Sequence, residues 1–183
     1  MIRVTGGRFA GRRLHGAAAG SRPATARMRE SLFNRPHVQA VVRGRVLDLY
    51  AGAGLLGIEA LSREAATVDF VERGRDACAV IRRNVALLEV ADRARVLCAP
   101  VEGVWARLDP PYDLCFADPP YALDATPALL ELLEAGLLTQ AGLLLWRHPR
   151  RRPAPERLGP LARCDTRRYG DGVLETYRRG GSA

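Results

Sequence analysis

Between residues 45 and 146 the chain alternates short apolar runs with longer stretches of helical period, and this alternation is what most narrows the folds open to it. Residues 46–50, 67–71, 95–99, 113–117 and 142–146 read as strands, and 54–63, 75–88, 101–108 and 126–135 as the helices between them. Strands that alternate with helices in this way pair in parallel and carry the helices on both faces of the sheet. The tail breaks the pattern, since 161–168 and 172–178 read as two strands joined by a turn at Tyr169-Gly170-Asp171. The expected fold is α/β: a mainly parallel seven-stranded sheet with a closing antiparallel hairpin. Ahead of it, residues 2–14 read as a hairpin around Gly6-Gly7 and Gly11, and residues 26–34 as a helix with Met28, Leu32 and Phe33 on one side. The chain thus divides into an N-terminal extension, residues 1–44, and an α/β domain, residues 45–183.

The run from Asp48 through Tyr50-Ala51-Gly52-Ala53-Gly54 to Gly57 lies where the first core strand gives way to a helix. Its glycines permit a tight turn and a close ligand approach, and a helix N-terminus offers free N–H groups. By itself this loop suits a nucleotide-like ligand and also satisfies the dinucleotide pattern, so a nicotinamide-dependent oxidoreductase stays open. Glu72 ends the next strand, where a carboxylate can accept hydrogen bonds from both ribose hydroxyls of an adenosyl group. Asp48 either orients the loop or contacts the cofactor.

Asp118-Pro119-Pro120-Tyr121 follows the fourth core strand, at the sheet edge where open α/β folds bind ligands. An amine on an aromatic base is a poor nucleophile because its lone pair is delocalised into the ring. The Asp118 carboxylate and the Pro119 carbonyl could accept its two hydrogens, favouring a pyramidal nitrogen with its lone pair aimed at a methyl sulfonium. Tyr121 offers a face on which an extruded base could stack. A bare proline turn would explain Pro119-Pro120 but not the flanking acid and aromatic.

All 28 basic residues are arginine, and they are segregated. Residues 1–45 hold ten arginines and one acid, 46–146 hold eight and fifteen, and 147–183 hold ten and four. A GC-rich genome accounts for arginine in place of lysine but not for basic ends around an acidic middle. That distribution suits a polyanion gripped beside a catalytic core, with Arg8, Arg12, Arg13, Arg22, Arg27 and Arg29 as candidate nucleic-acid contacts. Arg147 and Arg150-Arg151-Arg152 could also grip phosphate, or simply be a solvated loop. Cys78, Cys98, Cys115 and Cys164 lack metal-ligand spacing, and His15, His37 and His148 share none, so no metal site is expected. Without a signal-like or spanning apolar stretch, the expected location is cytoplasmic.

Together these residues resemble the amino-methyltransferases of nucleic acids, and the N-terminal run narrows the likeness. Ile2-Arg3-Val4-Thr5-Gly6-Gly7, Gly11-Arg12-Arg13-Leu14, Arg22-Pro23 and the stretch from Arg27 to Asn34 resemble the RsmD family, as do residues 47–62 and Tyr169-Gly170-Asp171. The resemblance implies a class I, Rossmann-like fold and S-adenosylmethionine as cofactor. It further implies transfer of methyl to the exocyclic N2 of a guanine in 16S rRNA. Gly52, Gly54 and Glu72 would contact the cofactor, Asp118 and Pro119 would hold the amine, and Tyr121 would face the base. The 1–44 extension would bind small-subunit rRNA or a 30S assembly intermediate, with the protein as a monomer. The chain departs from the family at Ala24 and Ala26, at Ala99-Pro100 where an acid often meets the adenine, and at Arg147 where an acid is usual. Adenine recognition would then rest on backbone groups or apolar packing. The other readings are a DNA adenine-N6 or cytosine methyltransferase, against which the lack of a target-recognition domain counts, and an RNA-binding ribosome-assembly module without significant catalysis.

Overall fold

The computed structural model describes residues 2–16 and 24–180, so Arg22 lies outside the described residues. Its sheet begins with β3 (Arg45–Leu49), which follows two short N-terminal strands, β1 (Ile2–Arg3) and β2 (Arg13–Leu14). β4 (Thr67–Glu72), β5 (Ala94–Cys98), β6 (Tyr112–Ala117) and β7 (Leu138–Pro149) extend it in parallel, and β8 (Arg157–Leu158), β9 (Leu161–Tyr169) and β10 (Gly172–Arg179) close it antiparallel. The order β5-β4-β3-β6-β7-β10-β9-β8 is the class I methyltransferase arrangement, with a two-residue eighth strand added at the edge to the seven expected. β3 and β6 are neighbours, and the chain leaves them in opposite directions along the sheet. That reversal opens a crevice at their carboxyl ends, the place where open α/β sheets bind ligands.

Side chains alternate across the sheet, so each central strand feeds two cores. Val46, Phe70, Leu114, Phe116, Leu143 and Leu145 pack under α1 (Ala26–Phe33), α2 (Pro36–Val41), α3 (Leu55–Ser62) and α4 (Arg75–Leu87). Leu47, Leu49, Cys115, Leu144 and Trp146 pack under α5 (Thr126–Glu134) and the 154–161 stretch. Thr25 caps α1, accepting from the Met28 N–H at 3.2 Å, and Met28, Leu32 and Phe33 are buried as the periodicity predicts. Two local expectations change. Only Trp105–Arg107 of the expected 101–108 helix is helical, as a single 3₁₀ turn, and α2 forms where proline at its first position presets helical φ.

The N-terminal extension shares the first core. Val4, Phe9 and Leu14 are buried with Met28, Leu32 and Phe33 in the same cluster as Val46 and Ile58. Ser62 ties it down: its carbonyl accepts from Arg8 N–H at 2.7 Å and its Oγ from Phe9 N–H at 3.0 Å.

Gly57 is enforced by packing. A Cβ there would strike the Phe70 ring, and would lie 2.9 Å from Val68 Cγ1. Alanine is the better helix former by about 1 kcal/mol, but overpacking a filled core costs about 1–3 kcal/mol. Gly57→Ala is therefore expected to lower stability in urea unfolding, and an unchanged or raised midpoint would show that Phe70 can move aside.

Candidate active site

The crevice between β3 and β6 opens into a cavity of about 730 Å³, a volume suited to a nucleoside-sized ligand. On one side the chain turns after β3 through Tyr50, which holds a left-handed φ of 56°, and Gly52 and Gly54, at φ 56° and 75°. Glycine carries such angles without strain. Asp48, 1% exposed, points toward α3 and accepts from the Gly57 N–H at 2.9 Å, satisfying a donor in the first turn of that helix. Of the two roles open to Asp48, orienting the loop is the one with a visible bond. Burial pushes its carboxyl well above the usual range, and the Gly57 N–H works against that.

Glu72, at the end of β4, accepts from Gly52 N–H at 2.9 Å and from Gly74 N–H at 2.7 Å. Its carboxylate is thereby fixed on the cavity wall with lone pairs left for two more donors. The same bond takes up the Gly52 N–H that a dinucleotide's pyrophosphate would need. The cavity carries five carboxylates, from Asp48, Glu72, Asp76, Glu102 and Asp118, against two arginines, Arg73 and Arg147. A polyphosphate would meet repulsion here, whereas a cation bearing ribose hydroxyls would not. Pro100, Val101 and Glu102 line the cavity beyond β5, while Ala99 does not.

Asp118, Pro119 and Tyr121 stand on the opposite wall. The last paired residues of β6 and β7 are Ala117 and Trp146, so the next residues, Asp118 and Arg147, emerge side by side. Arg147 is not a surface phosphate-binding residue. Its side chain is 11% exposed, and its Nη1 donates to both Asp118 oxygens, at 3.1 and 3.3 Å. Its Nη2 donates to the Tyr121 hydroxyl at 3.0 Å, and its guanidinium lies 5.3 Å from that ring's centre. Sequence reasoning missed this contact because it weighed Arg147 with the basic loop; counting one residue past the ends of two adjacent parallel strands would have found it.

The candidate nucleic-acid arginines separate. Arg8, Arg12, Arg13 and Arg27 are exposed, and the chain between them and the cavity includes Ala24, which lines it. Arg29 is corrected: it is 3% exposed and every donor group is engaged inside the protein. Its Nε donates to Glu59 at 3.1 Å, its Nη1 to the Ala24 carbonyl at 2.5 Å and its Nη2 to the Arg3 carbonyl at 2.8 Å. Among the described residues no His/Cys/Asp/Glu group could hold a metal ion, and no helix is long and apolar enough to cross a membrane.

Residues 2–178 match the protein family described as Conserved hypothetical protein 95. Ribosomal RNA small subunit methyltransferase D of Escherichia coli (strain K12) is 37% identical over 135 residues, which cover 73% of this chain and 67% of that protein. YlbH of Bacillus subtilis, named as a candidate rRNA methyltransferase, is 35% identical over 187 residues, 98% of this chain and 100% of that protein. Among solved structures, the E. coli protein yhhF, described as a candidate methyltransferase, aligns with a TM-score of 0.86 at 30% identity, over 99% of both chains.

Proposed function

The chain belongs to the RsmD family, described as Conserved hypothetical protein 95, and from that membership and the site we propose that it methylates the exocyclic N2 of a guanine in small-subunit rRNA, using S-adenosylmethionine. The observation that carries this reading is the meeting of two elements across one cavity: a carboxylate-fixed glycine loop on one wall and Asp118-Pro119-Pro120-Tyr121 on the other. The cofactor fits what the cavity offers. Glu72 has acceptors for the ribose hydroxyls, Gly52 lines the cavity and lets the ligand approach the backbone, and the surplus of carboxylates suits a cation. Gly54, expected from the sequence as a second contact, instead faces Ile81 and Phe70 and does not line the cavity. When bound, S-adenosylmethionine supplies an electrophilic methyl group on its sulfonium.

The protein's own contribution is positioning. Asp118 and the Pro119 carbonyl accept the two amine hydrogens and turn the nitrogen lone pair toward the methyl group. Methyl transfer would break the methyl–sulfur bond, leaving a neutral thioether. The Asp118 carboxylate would stabilise the positive charge gained by the nitrogen until one N–H proton passes to water. Tyr121 presents its ring to the flipped guanine. Arg8, Arg12, Arg13 and Arg27 on the 1–44 extension hold the RNA phosphates, and the rRNA or a 30S assembly intermediate is the partner.

The test supplies labelled S-adenosylmethionine with unmodified small subunits, naked rRNA or DNA, and identifies the modified nucleoside by mass. N2-methylguanosine in rRNA is the expected product. Label confined to DNA, or on an adenine or cytosine, would overturn the substrate. Charge reversal at Arg8, Arg12 and Arg13 is expected to weaken RNA binding and to flatten the plot of log affinity against log salt by roughly 0.7–0.9 per lost phosphate contact. An unchanged slope would remove these arginines from the interface.

A further inference from the structure

We propose that Arg147 is a positioning residue of the methyl-accepting site, binding the Asp118 carboxylate and the Tyr121 hydroxyl into one preassembled unit and holding Asp118 in the ionised form that can accept an amine hydrogen. This rests on the reading of Asp118 as the amine acceptor.

The geometry joins Arg147 to the Asp118–Tyr121 run, a link that no sequence motif carries. A single guanidinium reaches both oxygens of Asp118 through Nη1 and the Tyr121 oxygen through Nη2. The planar fork of arginine suits this, because its donors diverge at fixed angles and one residue can hold two partners apart. β10 supplies the room. A Cβ on Gly172 would collide with the Tyr121 hydroxyl and lie 3.2 Å from Arg147 Nε, so the unit is seated against bare backbone. Nη1 takes one acceptor direction on each Asp118 oxygen, which leaves the carboxylate able to receive a substrate N–H.

The charge matters because most of the Asp118 side chain is withdrawn from water. Asp118 is 20% exposed, and a desolvated carboxylate favours its neutral form. Burial pushes the Asp118 carboxyl up from its ordinary value, and the charge and hydrogen bonds of Arg147 pull it back. The groups around it are Arg147 on β7, Asp48 on β3 and Tyr121 on its own loop, while β10 contributes the uncharged Gly172. Asp48, a second acid, does not help ionise Asp118, so Arg147 is the group that does. Removing it leaves burial unopposed, and the protonated, non-accepting form of Asp118 then persists to higher pH.

Arg147→Gln and Arg147→Lys in the full chain test this, with S-adenosylmethionine affinity by calorimetry and methyl transfer to unmodified small subunits at about pH 6 and about pH 8.5. In Arg147→Gln the cofactor affinity is expected to stay within about twofold, while the ratio of kcat at the higher pH to kcat at the lower rises about tenfold. Its KM for the subunit also rises, because Tyr121 loses its tether. Arg147→Lys keeps the charge without the fork, so it should restore the pH ratio and retain the raised KM. A loss equal at both pH values, or an unchanged ratio in Arg147→Gln, would overturn the proposal. Should Arg147→Gln fail to fold, Arg147→Lys decides alone: a raised KM with the wild-type ratio supports it, and any other result opposes it. Asp118→Ala separates the two layers, since turnover surviving there overturns the amine-acceptor reading itself.

Discussion

Asp118→Ala should lower kcat for methyl transfer about 10²–10³-fold while leaving S-adenosylmethionine affinity within about twofold. The size of the loss follows from what the carboxylate does. The exocyclic amine reacts only when its hydrogens are held and its lone pair is released from the ring, and the nitrogen becomes cationic as the methyl arrives. In the proposed role Asp118 answers both needs, accepting an amine hydrogen and stabilising the charge that develops on the nitrogen. Cofactor affinity should be spared because the contacts proposed for the ligand lie elsewhere on the cavity wall, at Glu72 and Gly52. Single-turnover kinetics beside calorimetric binding would separate the two effects. Turnover reduced less than tenfold, or a matching collapse in cofactor binding, would remove Asp118 from its assigned role. Removing Asp118 also leaves Arg147 buried without its counterion, so thermal unfolding of the variant should accompany the kinetics.

Glu59→Ala should cost about 3–5 kcal/mol of folding stability, although Glu59 touches neither the cavity nor the surface arginines. It is 1% exposed on α3 and is the anchor for the N-terminal extension. Its Oε1 accepts from Thr5 N–H at 2.8 Å and from Arg29 Nε at 3.1 Å, and its Oε2 pairs with Arg63. Arg63 in turn donates to Thr5 Oγ1 at 3.3 Å and stands 4.4 Å over the Phe33 ring. Truncation would strand the Arg29 guanidinium, whose side chain is 4% exposed, without a counter-charge. An uncompensated buried charge is among the largest single penalties a point substitution can impose. Denaturant unfolding measures the loss, and amide exchange at Thr5 should quicken beyond the global change. A cost below about 1 kcal/mol would mean that water reaches Arg29 once the carboxylate is gone.

Arg29 and Arg147 show where linear reading ends. Both belong to arginine-rich stretches, and charge segregation points such stretches toward a polyanion. Arg8, Arg12, Arg13 and Arg27 are exposed, but Arg29 faces inward at the position on α1 that follows Met28. A helix of eight residues presents too few turns for its buried face to be drawn without knowing what packs on it. Glu59, thirty residues away on α3, supplies the counter-charge there, and the Ala24 and Arg3 carbonyls take the remaining donors.

The strand–helix alternation, the turn after β3, Glu72 at the end of β4 and the Asp118–Tyr121 run were all legible in the amino-acid order. Their signals are local: apolar period, glycine where the backbone must turn, and an acid at a strand end. With them came the parallel sheet, the closing hairpin and the side of the sheet on which a ligand would sit. Tertiary structure alone decided which charges meet. Asp118 and Arg147 are twenty-nine residues apart and become neighbours through the register of β6 and β7, and Gly172 of β10 makes the space they share with Tyr121. Register is set by the packing of whole strands against two cores, so the alternation that announces the sheet does not say which strand-end residues will face each other across the active site.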